Sequence, residues 1–168
     1  MLVVLSTPEY NKIQFNTNKV RVHLRTGIVE ILNNHLDLLG KIDNDLVEIE
    51  SNFENKLEKN LYILQSGVFI VSNKGLDPES PNHGTTTLYI YAKNIRELNS
   101  SLSIDELSKQ YETKKAELDR EIKRLTDLNL LDSKNIVLNT KLSLLKDDTE
   151  FLARTIVKAK EVKELKLS

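Results

Sequence analysis

Apolar positions in the N-terminal half of the chain come in short clusters separated by turn signals. Leu2-Val3-Val4-Leu5 is a compact apolar run. Val20, Val22 and Leu24 alternate with Arg21, His23 and Arg25, the period-two signature of a strand with one buried face. Leu46, Val47 and Ile49 sit among carboxylates in a further strand from Ile42 to Ile49. The runs Leu57 to Leu64 and Val68 to Val71 flank Gln65-Ser66-Gly67, which reads as a short turn or bulge. Leu88 to Tyr91 is one more strand. Short strands at this spacing predict an antiparallel β-sandwich or barrel. Between the last two strands, residues 74–84 hold Pro78, Pro81, Gly75 and Gly84, and read as a surface loop.

The texture changes after Asn99. Ser103-Ile104-Asp105-Glu106 offers a hydroxyl for orphan N–H groups and two acids for the positive end of a helix dipole. Ile104, Leu107, Tyr111, Leu118, Ile122, Leu125 and Leu128 then recur at steps of three and four, with a gap at Lys114. Asp132-Ser133 breaks the run. A second helix, from about Ser133 to Lys166, carries Leu138, Leu142, Leu145, Leu152, Ile156 and Ala159, with Thr149 at a seam position that should be apolar. Both stripes are narrow, close to a coiled-coil seam. Leu107, Tyr111, Leu118 and Leu125 are expected to face Leu145, Leu152 and Ile156, or a partner helix. The fold class is α+β: a sandwich over residues 1–98, then a two-helix antiparallel hairpin over 99–168.

Charge and composition narrow the function. Lys and Arg number 24 against 25 Asp and Glu, so no bulk attraction draws the chain to nucleic acid or to an anionic membrane. Aromatic residues are 5% and charged residues 29%, which suits a modest core with a long solvated helical part. Cys is absent, which removes disulfides, thiolate catalysis and thiolate metal sites. No apolar run approaches the roughly 18 residues of a membrane span, and Leu2-Val3-Val4-Leu5 follows Met1 without a basic or Arg-rich segment, so a retained secretory or import leader is not expected. A cytoplasmic location without direct membrane insertion is expected.

Catalytic signals are sparse. His23, His35 and His83 show no i, i+4 pairing, so no metal site is expected. There is no Gly-rich phosphate loop and no nucleophile elbow. No catalytic residue is assigned. Three readings stay open on the residues alone: a structural and regulatory subunit, an adaptor joining a β-sandwich to a coiled coil, and a metal hydrolase built from His and carboxylates.

The segment Thr26-Gly27-Ile28-Val29-Glu30-Ile31-Leu32-Asn33-Asn34-His35-Leu36-Asp37-Leu38 resembles the Gly-x-x-Gly-Ile-Leu-Pro-Asn-His-Ala-Pro-Leu loop of the epsilon subunit of F-type ATP synthases, called delta in mitochondria. Gly27, Ile31, Leu32, Asn34, His35 and Leu38 match. Glu30 stands at the second glycine, Asn33 and Asp37 at the prolines, and Leu36 at the alanine. Phe15 lies where the family has Phe-x-Gly, with Thr17 at that glycine. Ser66-Gly67-Val68-Phe69-Ile70-Val71 is similar to the family's Gly-Gly-Phe-x-Glu-Val, and Phe151-Leu152-Ala153-Arg154 to its closing helix.

The resemblance implies a ten-stranded sandwich followed by a helical hairpin, in a noncatalytic rotor subunit. Such a subunit binds gamma, meets the membrane rotor ring, and regulates the catalytic alpha/beta head through its hairpin, peripheral to the membrane through the complex. Leu32, Asn34, His35 and Leu38 are then the partner interface. An epsilon-like subunit of an F-type-like ATPase driving machinery other than a proton pump is the variant reading. Some bacterial members hold ATP with Ile/Leu-Asp-x-x-Arg-Ala and basic residues of the second helix. The matching positions here are Asp105, Arg154 and Lys158, while Ser108-Lys109 replaces Arg-Ala. Lys lacks the planar fork of Arg. No cofactor is expected, and ATP should have little effect on the hairpin.

Overall fold

The computed structural model describes residues 1–9, 13–53, 56–73, 85–99, 101–128, 130 and 136–167. The loop over residues 74–84, and the helix break at 132–133, lie outside the described residues. The strands are β1 (Leu2–Ser6), β2 (Ile13–Asn16), β3 (Lys19–Leu24), β4 (Gly27–Leu32), β5 (Leu38–Ile42), β6 (Asp45–Phe53), β7 (Lys56–Ser72) and β8 (Thr87–Glu97). The helices are α1 (Ile104–Asp127) and α2 (Ile136–Leu167). The chain divides into two compact units, Met1–Asn99 and Ser100–Ser168.

The α+β class is as the sequence predicts: strands first, then two helices. The strands run in the order β2-β1-β8-β7-β6-β3-β4, with β5 also paired to β7. All pairings are antiparallel except β1 with β8. β7 is the spine, 17 residues long. Its edge serves β6 from Lys56 to Leu64 and β5 from Gly67 to Val71. The register is continuous across the two, since Asp45 pairs with Leu64 and Ile42 with Gly67. The strand expected from Ile42 to Ile49 is thus two strands, parted at Asp43-Asn44, where Asn44 takes a φ of 51°.

Opposite that break, Ser66 takes a φ of 46°. A single left-handed residue turns the strand without ending its pairing. Tyr62 and Leu64 face the core before Ser66; Phe69 and Val71 do so after it. Leu57–Leu64 and Val68–Val71 are consequently one bent strand, which is one reason the described residues hold eight strands where the resemblance implied ten. The bend folds the sheet over a single core that takes Val3, Val20, Ile31, Ile42, Ile49, Phe69 and Leu88 from seven strands.

The outward face of β3 carries an interleaved ion network. Lys19 lies 2.8 Å from Glu50, Arg21 2.9 Å from Glu30, and His23 Nε2 2.7 Å from Glu48. Lys59 also pairs with Glu48. Burial pushes the Glu48 carboxyl up, but hydrogen bonds with Lys59 and His23 outweigh it and hold the group below its ordinary 4.5. A carboxyl lowered by folding contributes stability above its unfolded pKa and loses it as pH falls through the folded value. Denaturation midpoints should therefore drop on acidification below about pH 4.5. Glu48→Gln should flatten that drop, measured by urea titration across pH.

Candidate partner interface

Gly27–Leu32 forms an edge strand, and the chain turns at Asn33-Asn34 before β5 begins. Asn34 sits at a φ of 63°, a conformation that Asn tolerates better than most residues. Its N–H donates to the Thr86 hydroxyl at 2.8 Å, and that hydroxyl donates to Asn73 Oδ1 at 2.7 Å. The Asn73 amide group donates to the His35 carbonyl at 2.7 Å and to Asp37 Oδ1 at 3.3 Å. The Asn73 backbone N–H donates to the same Asp37 oxygen at 3.0 Å. The His35 N–H closes the turn on the Leu32 carbonyl, and its Nδ1 donates to the Leu36 carbonyl at 2.7 Å.

This polar clasp ties the β4–β5 loop to the end of β7 and the start of β8. Asp37 accepts two hydrogen bonds that the proline of the resembled loop has no carboxylate to accept. Rigidity supplied elsewhere by ring geometry is here supplied by side-chain contacts. The same segment exposes large apolar side chains: Leu36 is 82% exposed and Leu39 70%, and Leu32 is exposed as well. Leu38 instead packs partly buried against the core. Of the predicted interface residues, then, Leu32 and Asn34 are exposed, His35 is half-buried, and Leu38 anchors the loop. Thr86→Val should unlatch the clasp. Hydrogen exchange at the Asn34 and His35 amides should speed by roughly tenfold, the equivalent of one lost hydrogen bond.

The clasp was not foreseeable from the motif. Asn73 and Thr86 are far from the loop in sequence, and nothing in their local pattern points to it. In the motif Leu36 stands only at the family's alanine, although a large apolar residue in a turn is itself a signal for contact.

In the helical unit, Ser103 caps α1, its hydroxyl accepting from the Glu106 N–H at 3.2 Å. Leu107, Leu125, Leu145 and Leu152 are buried, while Tyr111, Leu118 and Ile156 are partly buried. The seam differs from the predicted stripe on both helices: on α2, Phe151 and Thr155 are fully buried where Ile156 is only partly so. On α1, Glu121, rather than Ile122, occupies the buried position, bonded to Arg124 at 2.7 Å and to Lys141 across the hairpin at 3.3 Å. The hydrogen bond from Arg124, assisted by Lys141, holds the Glu121 carboxyl below its ordinary value. Thr149 satisfies its buried hydroxyl by donating to the Leu145 carbonyl at 2.7 Å.

The Glu121–Lys141 pair sets the register. Sixteen residues before Glu121 stands Asp105, and sixteen after Lys141 stands Val157, so Asp105 lies level with Val157-Lys158. Asp105, Arg154 and Lys158 thus share one end of the hairpin. Each cation is engaged within its own helix, Arg154 with Glu150 at 3.3 Å and Lys158 with Glu161 at 2.8 Å. Among the described residues, no group of three or more His, Asp or Glu is placed to hold a metal ion. Among the described residues, no helix is long and apolar enough to cross a membrane.

Geometry and topology define a class: a mainly antiparallel sheet folded over one core, followed by a helical hairpin. By sequence, no family model and no curated protein matches the chain. By structure, it is similar to a chain of the Euglena gracilis mitochondrial ATP synthase assembly of OSCP, F1 and c-ring. That match has a TM-score of 0.53 at 15% identity, over 90% of this chain and 78% of the other. A chain of the Tetrahymena thermophila mitochondrial ATP synthase central stalk and c-ring aligns over 92% and 95% at 13% identity, with a TM-score of 0.45. The likeness is one of fold, and the fold is one that an ATP synthase contains, as the resemblance in the β4–β5 segment implies.

Proposed function

We propose that this chain is a noncatalytic central-stalk subunit of an F-type or F-type-like rotary ATPase, of the epsilon kind. It binds a gamma-type subunit through the β4–β5 loop and regulates the catalytic alpha/beta head through the helical hairpin. The observation that carries this reading is a fold match along nearly the whole chain to a subunit of an ATP synthase. The Gly27-to-Leu38 motif, displayed on a braced loop, supports it independently. A sandwich braced by one continuous core suits the transmission of torque. A hairpin held by a narrow seam suits a change of posture at low cost. The rotor ring is the third partner in this arrangement, reached from the same end of the sandwich.

Copurification tests the reading. A tagged full-length chain should bring down gamma, alpha and beta relatives together, and the chain cut after Asn99 should still bring down gamma. Recovery of the chain alone, or with an assembly lacking nucleotide-binding subunits, would reject the assignment. Loss of gamma on truncation would move the interface from the loop to the helices.

A further inference from the structure

Where β1 leads toward β2, the interior of the sandwich opens. Leu5, Ile13, Phe15 and Ile95 wall a cavity of about 430 Å³, with Thr7, Tyr62 and Glu97 as its polar members. The volume falls within the range of small-molecule sites, roughly 300–1,000 Å³. All seven residues belong to the Met1–Asn99 unit.

Two of the polar members set the chemistry. Tyr62 is 6% exposed as a residue, and its hydroxyl makes no hydrogen bond among the described residues, which leaves it open to a ligand or to solvent at the cavity. Burial, followed by the nearby Glu97 charge, pushes this hydroxyl up to about 12. Glu97 pairs with Tyr62 across the β7–β8 ladder, is exposed, and has no cation partner among the described residues. The Phe15 and Tyr62 rings meet at 5.8 Å and 51°, an aromatic corner inside the cavity.

We infer that this cavity binds a small amphipathic cation, an aromatic or aliphatic body carrying one ammonium group. The apolar walls take the body, and the unpaired Glu97 carboxylate takes the ammonium at the mouth through a charge-assisted hydrogen bond. The faces of Phe15 and Tyr62 add a cation–π component. An anion of the same shape meets Glu97 and is repelled. A neutral analogue keeps the burial and loses the charge. The site is independent of the β4–β5 loop, so its fate does not decide the stalk assignment.

Tryptamine, tryptophol and indole-3-acetate share a ring and differ in charge, and the chain has no Trp to obscure their fluorescence. Anisotropy titrations with the full chain should give saturable tryptamine binding, with a Kd on the order of 1 mM or tighter for a ligand of this size. Tryptophol and indole-3-acetate should bind at least about tenfold more weakly. Glu97→Gln alters an exposed side chain and should weaken tryptamine by roughly tenfold while leaving tryptophol unchanged. Resonance shifts should centre on Ile13, Tyr62 and Ile95. Absence of saturable binding, equal affinity for tryptophol, or no effect of Glu97→Gln would overturn the inference.

Discussion

Replacing Leu125 and Leu152 together by Asp will unfold the helical unit and leave the melting transition of the sandwich in place. Leu125 is 1% exposed and Leu152 7%, so both side chains lie in the seam between α1 and α2. Each substitution forfeits about 1.5–3 kcal/mol of apolar burial. Each also brings a carboxylate into a buried apolar position of the seam. A buried unpaired charge costs several kcal/mol more. Helices of this kind draw most of their stability from packing an apolar face, so the loss of two seam residues is decisive. The sandwich is spared because its core cluster contains only residues from the first unit. Helicity at 222 nm should fall by more than half, while methyl resonances of Val20, Ile42 and Val71 keep their dispersion. Collapse of both signals together would show that the two units share their stability.

Gly40→Val will destabilise the sandwich by about 1–3 kcal/mol, the range for overpacking a well-filled core. For a unit of this size that is on the order of 10 °C in melting temperature. Gly40 pairs with Phe69 in the β5–β7 ladder. A Cβ at Gly40 would stand 2.2 Å from Cε1 of Phe69 and 2.4 Å from Cζ. Phe69 is fully buried, so its ring has no open space to enter. The remedy is specific. Phe69→Leu in the same chain removes the clashing atoms, and the double variant should recover more than half of the loss. Equal destabilisation by the single and double variants would mean that Gly40 acts through its backbone.

How far the sequence reveals the molecule depends on the range over which each constraint acts. Period-two alternation in Lys19 to Leu24 and the cap at Ser103 are local, and both appear where the pattern puts them. The class of fold follows from such local signals in series. Ser66 was legible as an irregularity, but not as a bend within one strand, because bending and ending a strand call for the same residues. Glu121 was hidden for a different reason. A helical stripe read for apolar residues passes over a carboxylate, and only the opposite helix shows that two cations make its burial tolerable. Gly40 has a role only because Phe69 lies across from it. The clasp of Asn34, Asp37, Asn73 and Thr86 is likewise assembled by topology, so a loop that looked stripped of its stiffening residues proves to be braced by others.

The central claim is that the β4–β5 loop is the surface on which a gamma-type subunit sits. The natural absence of cysteine allows a single thiol to be placed at will. Leu36→Cys, labelled with a short photoreactive group in the purified native assembly, should cross-link to the gamma-type subunit. A control label at exposed Leu57 on β7 should leave that subunit unlabelled. Cross-links from Leu36→Cys only to proteins unrelated to rotary ATPases, or capture of gamma by Leu57→Cys alone, would contradict the account.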